Sequence, residues 1–240
     1  MEYNIALAGI PLRLTLRQAV PDTLLAPYLS DAAALAAVSV SEKLIRSCRE
    51  TQQEDDPDWT AEYNAAAVEI SEALLPFGRC IFHGMAFLWR GKAWIFTAPS
   101  GTGKTTQYAL WKLLYGDELS ALNGDKPVLE CRDDGTVWVH PSPWQGKENI
   151  GSMRSAPLGG IICLARGENR IERLDARQAL APVFSQIIVR REKAEVTDRA
   201  LRITEHLLTS VPIWRLTNRG DRASARLTHD TLQSEAGGSE

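Results

Sequence analysis

The chain has 240 residues, with 27 lysines and arginines against 30 aspartates and glutamates, a net charge of −3 and 44% hydrophobic residues. This composition is that of a globular protein with a sizeable core, and it excludes collagen-like, coiled-coil, disordered and disulfide-scaffold classes. With a small negative net charge, the chain has no excess of basic residues that would favour binding to nucleic acid or to an anionic membrane. We therefore expect neither as a partner.

The N-terminus and the cysteines bear on the compartment. The first residues, MEYN, lack the basic and apolar regions of a signal peptide. No apolar run approaches the roughly 18 residues of a membrane-spanning helix. The four cysteines are far apart in the sequence and form no CxxC pair. We therefore expect a cytoplasmic protein whose cysteines are small buried hydrophobic residues.

The first part of the chain, residues 1–75, is predicted to be an N-terminal α+β region of unassigned role. Apolar and polar residues alternate at its start, which favours strands. Further on, an Ala/Leu-rich stretch and a segment with helical periodicity flank the most polar run of the chain. The predicted elements are a strand or hairpin over residues 5–16, a helix over 24–38, a solvated loop over 51–58 and a helix over 61–75.

The second part, residues 76–232, interleaves strands with helices, which argues for an α/β core. The remaining residues, 233–240, are predicted to be a disordered tail. The predicted strands of the second part are 80–89, 93–98, 119–123, 128–131, 136–140, 158–165 and 212–217, and its predicted helices are 105–114, 175–181, 193–208 and 223–232.

The sharpest motif is the stretch 96–106, FTAPSGTGKTT, where an apolar strand meets a glycine-containing loop and then a predicted helix. This is the context of a phosphate-binding loop. Glycines let successive N–H groups curl around a phosphate, and the positive end of the helix adds to the attraction. We expect Lys104 to reach the terminal phosphates of ATP and Thr105 to bind Mg²⁺. The candidate nucleotide-binding residues are Pro99, Ser100, Gly101, Thr102, Gly103, Lys104, Thr105 and Thr106.

The loop departs from the strict pattern at one position, since Ala98 stands where the first glycine is expected. This alanine is a mild substitution unless the backbone there needs a positive φ. The alternative interpretation of the whole stretch is a chance Gly/Thr-rich turn beside a solvated lysine.

These residues carry a family resemblance. The loop over 100–106 resembles that of ATP-type phosphoenolpyruvate carboxykinases. The sequence Phe82-His83-Gly84, followed by a hairpin that leads into the loop, resembles the catalytic domain of HPr kinase/phosphorylase and its short relatives. The similarity covers about residues 75–230. Some twenty residues after the loop, this family carries an acidic pair at the end of a strand, and the corresponding stretch here is LNGDK, residues 122–126.

The resemblance implies an α/β P-loop domain with mixed β-sheets of the HPr kinase/phosphoenolpyruvate carboxykinase type. It implies phosphoryl transfer from a nucleotide to a hydroxyl, often a protein serine, and it makes self-association plausible. It assigns Asp125 to the Mg²⁺-associated acid of the pair. Gly124 falls where the first acid, the family's expected general base, belongs.

Three further residues are candidates for catalytic roles. A carboxylate at a strand end can hold Mg²⁺, so Asp125 is a metal candidate together with Thr105; the alternative is a turn-forming Asn-Gly-Asp sequence. His83 is a candidate general base or phosphate contact, or else a core histidine. Lys147 lies in the stretch 141–151, where prolines and glycines prevent a regular helix or strand. It is a candidate substrate contact, or else an exposed lysine in a turn.

We therefore expect a Mg²⁺- and ATP-dependent kinase that acts on a serine or threonine of a small protein or peptide. Its candidate catalytic residues are His83, Lys104, Asp125 and Lys147, and Arg154 is a further cation that could face the transferred group. The alternative is a catalytically inactive nucleotide-binding accessory module that binds or presents a peptide, which Gly124 favours. A third hypothesis is small-molecule phosphoryl transfer or a carboxykinase-like reaction.

Overall fold

The computed structural model of the protein describes residues 1–237. Its first part contains a hairpin that a third strand extends in parallel to the second. The alternating residues Ile5, Leu7, Leu12 and Leu14 are fully buried, because one face of the hairpin covers a core. The elements of this part are β1 (Glu2–Leu7), β2 (Ile10–Thr15), α1 (Asp22–Leu25), β3 (Ala36–Ser39), α2 (Glu42–Arg49) and α3 (Trp59–Leu74).

The predicted hairpin over 5–16 and the predicted helix over 61–75 are confirmed as β1–β2 and α3. The helix predicted over 24–38 is wrong. The short α1 and a single 3-10 turn over Ala26–Tyr28 form there, and β3 then pairs with β2. Pro27 cannot donate a hydrogen bond to a continuing helix, and strand pairing outweighs the helix preference of the alanines.

The second part of the chain forms a larger mixed sheet with helices on it. Most of its predicted elements are confirmed, whereas β4 and β11 were not predicted as separate strands. Its elements are β4 (Arg79–Ile81), β5 (Met85–Trp89), β6 (Lys92–Thr97), α4 (Lys104–Tyr115), β7 (Leu119–Asn123), β8 (Val128–Cys131), β9 (Val137–His140), β10 (Ala156–Arg166), β11 (Arg170–Arg173), α5 (Ala176–Phe184), α6 (Ala194–Ser210), β12 (Ile213–Asn218) and α7 (Arg222–Gly237).

The centre of this sheet is parallel, with β10 between β6 and β12. On one side β5 is antiparallel to β6, and β7 is antiparallel to β5. The start of β10 pairs with β9, which continues through β8 to β4. Strands β6 and β7 therefore run in the same direction, and their C-terminal ends lie beside the N-terminal end of β5. The residues just after β6, just after β7 and just before β5 are thus close together in space.

The protein is thus an α/β protein with mixed sheets, as the sequence predicted. Helix α4 is fixed to the sheet by Trp111, which is fully buried against Phe87 and Phe96 at ring-centroid distances of 5.3 and 5.9 Å. Such aromatic contacts hold the helix start, and the loop before it, in a defined position.

The division of the chain at residue 75 stays a prediction. The apolar residues of the first part form one cluster, and Ile81, Val128 and Trp144 of the second part belong to it. At the other end, α7 extends through residues 233–237 of the predicted tail, and residues 238–240 of that tail lie outside the described residues. Within residues 1–237, no helix has the length and apolar character that crossing a bilayer requires.

Candidate functional site

A cleft of about 600 Å³ opens where β6 and β7 end. The glycine-rich loop and the turn after β7 form one of its sides, and α3 with the segment 141–151 forms the other. Pro99, Thr102 and Arg154 do not line the cleft. The cleft is lined by nine of the candidate residues predicted from the sequence: His83, Ser100, Gly101, Gly103, Lys104, Thr105, Thr106, Asp125 and Lys147.

At two positions, the glycine-rich loop has a positive backbone dihedral angle φ, which glycine adopts more readily than other residues. Gly101 has φ +74° and Gly103 has φ +109°, and Gly103 caps the N-terminus of α4. Among the described non-glycine residues, positive φ occurs at Ala8, Arg90 and Asn149. Ala98 therefore has ordinary backbone geometry, so the missing first glycine costs the loop nothing in conformation.

Lys104 is the buried cation of the loop. Only 8% of the residue is exposed, and its Nζ donates to the carbonyl oxygens of Ala98 (3.0 Å) and Pro99 (3.5 Å). Burial lowers the pKa of Lys104, the nearby Asp125 opposes this, and Lys126 adds to the lowering. An ammonium group held by neutral carbonyl oxygens at a helix N-terminus favours an incoming anion.

Asp125 lies near Lys104 of the loop, between an imidazole and an ammonium group. Its Oδ1 is 3.4 Å from His83 Nε2, and its Oδ2 forms an ion pair with Lys126. Burial raises the pKa of the Asp125 carboxyl, but His83 and Lys126 together outweigh burial, and the pKa lies well below its usual range. The carboxylate is therefore ionised at neutral pH.

Both ring nitrogens of His83 have partners, since Nδ1 lies 3.0 Å from Oε1 of Gln186 and Nε2 faces Asp125. An acceptor hydroxyl could reach a ring nitrogen only after one of these contacts broke. His83 therefore contacts Asp125 directly, and its predicted role as a general base or phosphate contact stays a prediction.

The turn after β7 is fixed by Asn123, which is fully buried. Its Oδ1 accepts hydrogen bonds from the backbone amides of Asp125 (3.0 Å) and Lys126 (2.8 Å), and its Nδ2 donates to the carbonyl oxygen of Ser142 (3.1 Å). The turn-forming sequence and a site carboxylate, which the sequence offered as alternatives, thus occur together: the turn holds the carboxylate in the cleft.

Gly124 leaves no room for a side chain. A Cβ atom there would lie 2.5 Å from the carbonyl oxygen of Gln145 and 3.0 Å from that of Ile150. Main chain from the segment 141–151 thus fills the place where the resemblance puts the family's first acid. Asp125 is therefore the carboxylate carried by the turn after β7, and Asp56 and Glu148 are the other acidic residues that line the cleft.

We expect the Gly124→Ala variant to lose about 1–3 kcal/mol of unfolding free energy, because the added methyl group meets backbone rather than a movable side chain. Chemical denaturation measures this loss. Gly135→Asn is the control: Gly135 has φ +83° with nothing near its absent Cβ, and asparagine tolerates that backbone. Equal stability of wild type and Gly124→Ala would show that the segment 141–151 is not fixed over the turn.

The opposite side of the cleft comes from α3 and was not predicted. Trp59, Thr60, Tyr63 and Asn64 line it. The hydroxyl of Tyr63 donates to the carbonyl oxygen of Pro143 at 2.9 Å, which joins α3 to the segment 141–151. Nothing in the sequence near α3 signals a binding role, because only the tertiary fold places this helix beside the loop.

Lys147 is placed at the rim of the cleft, where its Nζ donates to Oε1 of Gln53. The polar run 51–58 therefore meets the segment 141–151 across the cleft. Lys126 also lines the cleft. It follows Asp125 directly, and this adjacency was the one sequence signal that could have identified it.

Few side chains in the cleft could coordinate Mg²⁺. The described residues contain no group of three or more histidine, cysteine, aspartate or glutamate side chains that could hold a metal ion. Thr105 and Asp125 supply a hydroxyl and a carboxylate in one cleft. This set fits Mg²⁺ that arrives with a phosphate chain, because that ion takes one or two carboxylates and completes its shell with phosphate oxygens and water.

The sequence and the structure were compared with those of known proteins. No family model matches the sequence, and no curated protein matches it. The structure is similar to that of the HPr(Ser) kinase/phosphatase from Coxiella burnetii, with 10% sequence identity and a TM-score of 0.39, over 65% of this chain and 90% of that chain.

Proposed function

We propose that this protein is an ATP- and Mg²⁺-dependent kinase that transfers a phosphoryl group to a hydroxyl, that of a serine or threonine in a small protein or peptide. The observation that carries the proposal is the geometry of the cleft. A buried lysine and a helix N-terminus lie in it, and the Asp125 carboxylate lies near that lysine.

The chain's own residues divide the work between the two sides of the cleft. The loop amides and Lys104 bind and orient the β- and γ-phosphates. Mg²⁺, bound with the nucleotide, neutralises charge on these phosphates. Thr105 and Asp125 are the residues that would hold it. Phosphoryl transfer through a loose transition state depends mainly on positioning and charge stabilisation, so the reaction does not require the first acid whose position Gly124 occupies.

The acceptor enters from the side formed by α3 and the segment 141–151. Trp59 and Asn64 line this side, with Lys147 at its rim. The aromatic and amide groups of this side, together with the acidic residues Asp56 and Glu148, favour a hydroxyl-bearing segment over phosphates, whereas the cationic loop side suits phosphates.

The test is transfer of labelled γ-phosphate from ATP to a library of serine- and threonine-containing peptides in the presence of Mg²⁺. We expect label on a subset of peptides and none on the matched peptides in which alanine replaces the hydroxyl residue. ATP binding without transfer to any peptide or protein acceptor would contradict the kinase proposal.

The accessory module is retained as a second candidate function because of Gly124. Backbone excludes an acid at that position, which removes the general base that the family resemblance implies. A module of this kind would bind ATP and a peptide partner without turnover, so the same transfer experiment distinguishes it from the kinase.

A further inference from the structure

Two lysines and a carboxylate lie close together in the cleft. Asp125 forms an ion pair with Lys126 and lies near Lys104, while Asp56 and Glu148 are further acidic residues of the cleft lining. Lys126 is 22% exposed in its side chain and forms an ion pair with Asp125 Oδ2. A partly buried ion pair of this kind neutralises the carboxylate without a metal.

The backbone fixes this ion pair in place. The amide of Lys126 donates to Asn123 Oδ1 at 2.8 Å and to the carbonyl oxygen of Trp144 at 3.1 Å. The carbonyl oxygen of Asp125 accepts a hydrogen bond from the Gly84 amide at 2.8 Å. Both residues are therefore held in a rigid turn, and their side chains meet inside the cleft.

Lys126 and Mg²⁺ would share one binding partner. The Oδ1 of Asp125 faces His83, and its Oδ2 is paired with Lys126. A divalent cation that takes Asp125 as a ligand would replace the lysine at that oxygen. Without either cation, the charge of Asp125 would face the phosphates and repel them.

Resting on the proposed function, we propose that Lys126 is the resident counter-cation of Asp125. It compensates the carboxylate when no metal is bound, so that the nucleotide binds with or without Mg²⁺, and it yields the carboxylate to Mg²⁺ when the metal arrives. Lys126 is thus a positioning residue that sets the metal dependence of binding.

The experiment is calorimetric titration of ATP into the full chain, in EDTA and in Mg²⁺, for wild type, Lys126→Met and the double variant Lys126→Met/Asp125→Asn. In EDTA we expect Lys126→Met to bind ATP on the order of tenfold more weakly than wild type, since one carboxylate is left uncompensated. In Mg²⁺ the two should agree within about threefold, because the metal replaces the lysine. The double variant in EDTA should recover wild-type affinity within about threefold, because both charges are gone.

The other outcomes overturn the proposal in distinct ways. An equal loss in both buffers, or no recovery in the double variant, would make Lys126 a direct phosphate contact or a structural residue. Unchanged binding of Lys126→Met in EDTA would show that the ion pair is irrelevant. Absence of ATP binding by wild type in both buffers would overturn the proposed function itself, and this inference with it. Melting temperatures of the variants check that each is folded.

Discussion

Replacing Lys104 by methionine is expected to weaken ATP binding about 10- to 150-fold, the effect of losing charge-assisted hydrogen bonds worth about 1.5–3 kcal/mol. Methionine keeps the apolar stem that packs in the buried position and removes only the ammonium group. Lys104 now donates to carbonyl oxygens of the loop, and these neutral partners are easily exchanged for phosphate oxygens. Calorimetric titration with ATP in the presence of Mg²⁺ measures the change.

The control for this prediction is Lys92→Met. Lys92 is exposed at the start of β6, the strand that ends at the loop, so this variant removes the same charge away from the cleft. We expect it to bind ATP as wild type does. If both variants retained wild-type affinity, the loop would not be the phosphate site.

Replacing Asp125 by asparagine is expected to lower phosphoryl transfer about 10²- to 10³-fold, the size of effect seen when one preorganised electrostatic group is removed. Binding of ATP in EDTA should be unchanged or tighter, because a negative charge beside the phosphates is gone. The gain in affinity that Mg²⁺ provides should disappear. Steady-state kinetics and titrations with and without Mg²⁺ separate these effects.

Asp133→Asn is the matched control, since Asp133 is an exposed carboxylate in the turn between β8 and β9. It should leave transfer and metal dependence as in wild type. A variant of Asp125 that transferred phosphate at the wild-type rate would show that the carboxylate takes no part in the reaction.

The His83→Ala variant should resemble a weaker form of Asp125→Asn, because His83 contacts that carboxylate.

The glycine-rich loop was predictable because its information is local. A strand, two glycines, a lysine and a helix start follow one another in the chain, and the structure places them so that Lys104, Thr105 and Thr106 line one cleft. The turn at Asp125 was also predictable, since Asn-Gly-Asp at the end of a strand is typical of a turn, although the sequence left open whether the carboxylate or only the turn mattered. Whether these residues bind a nucleotide stays a prediction that the experiments above test.

The rest of the site depends on contacts between distant parts of the chain. The partner of His83 is Gln186, which follows it by 103 residues. The carbonyl oxygen that fills the space beside Gly124 belongs to Gln145. Helix α3 reaches the cleft only because its buried face joins the core of the N-terminal strands. No local pattern carries this information, and for the same reason the parallel strand β3 was mistaken for part of a helix.

Titration of the wild-type chain with ATP, with and without Mg²⁺, tests the central claim most directly. The account predicts one ATP per chain, with binding that survives removal of the metal and is lost or strongly weakened in Lys104→Met. A folded wild-type protein that bound no ATP in either condition would contradict it, because the loop, the buried lysine and the carboxylate would then form a cleft for some other ligand.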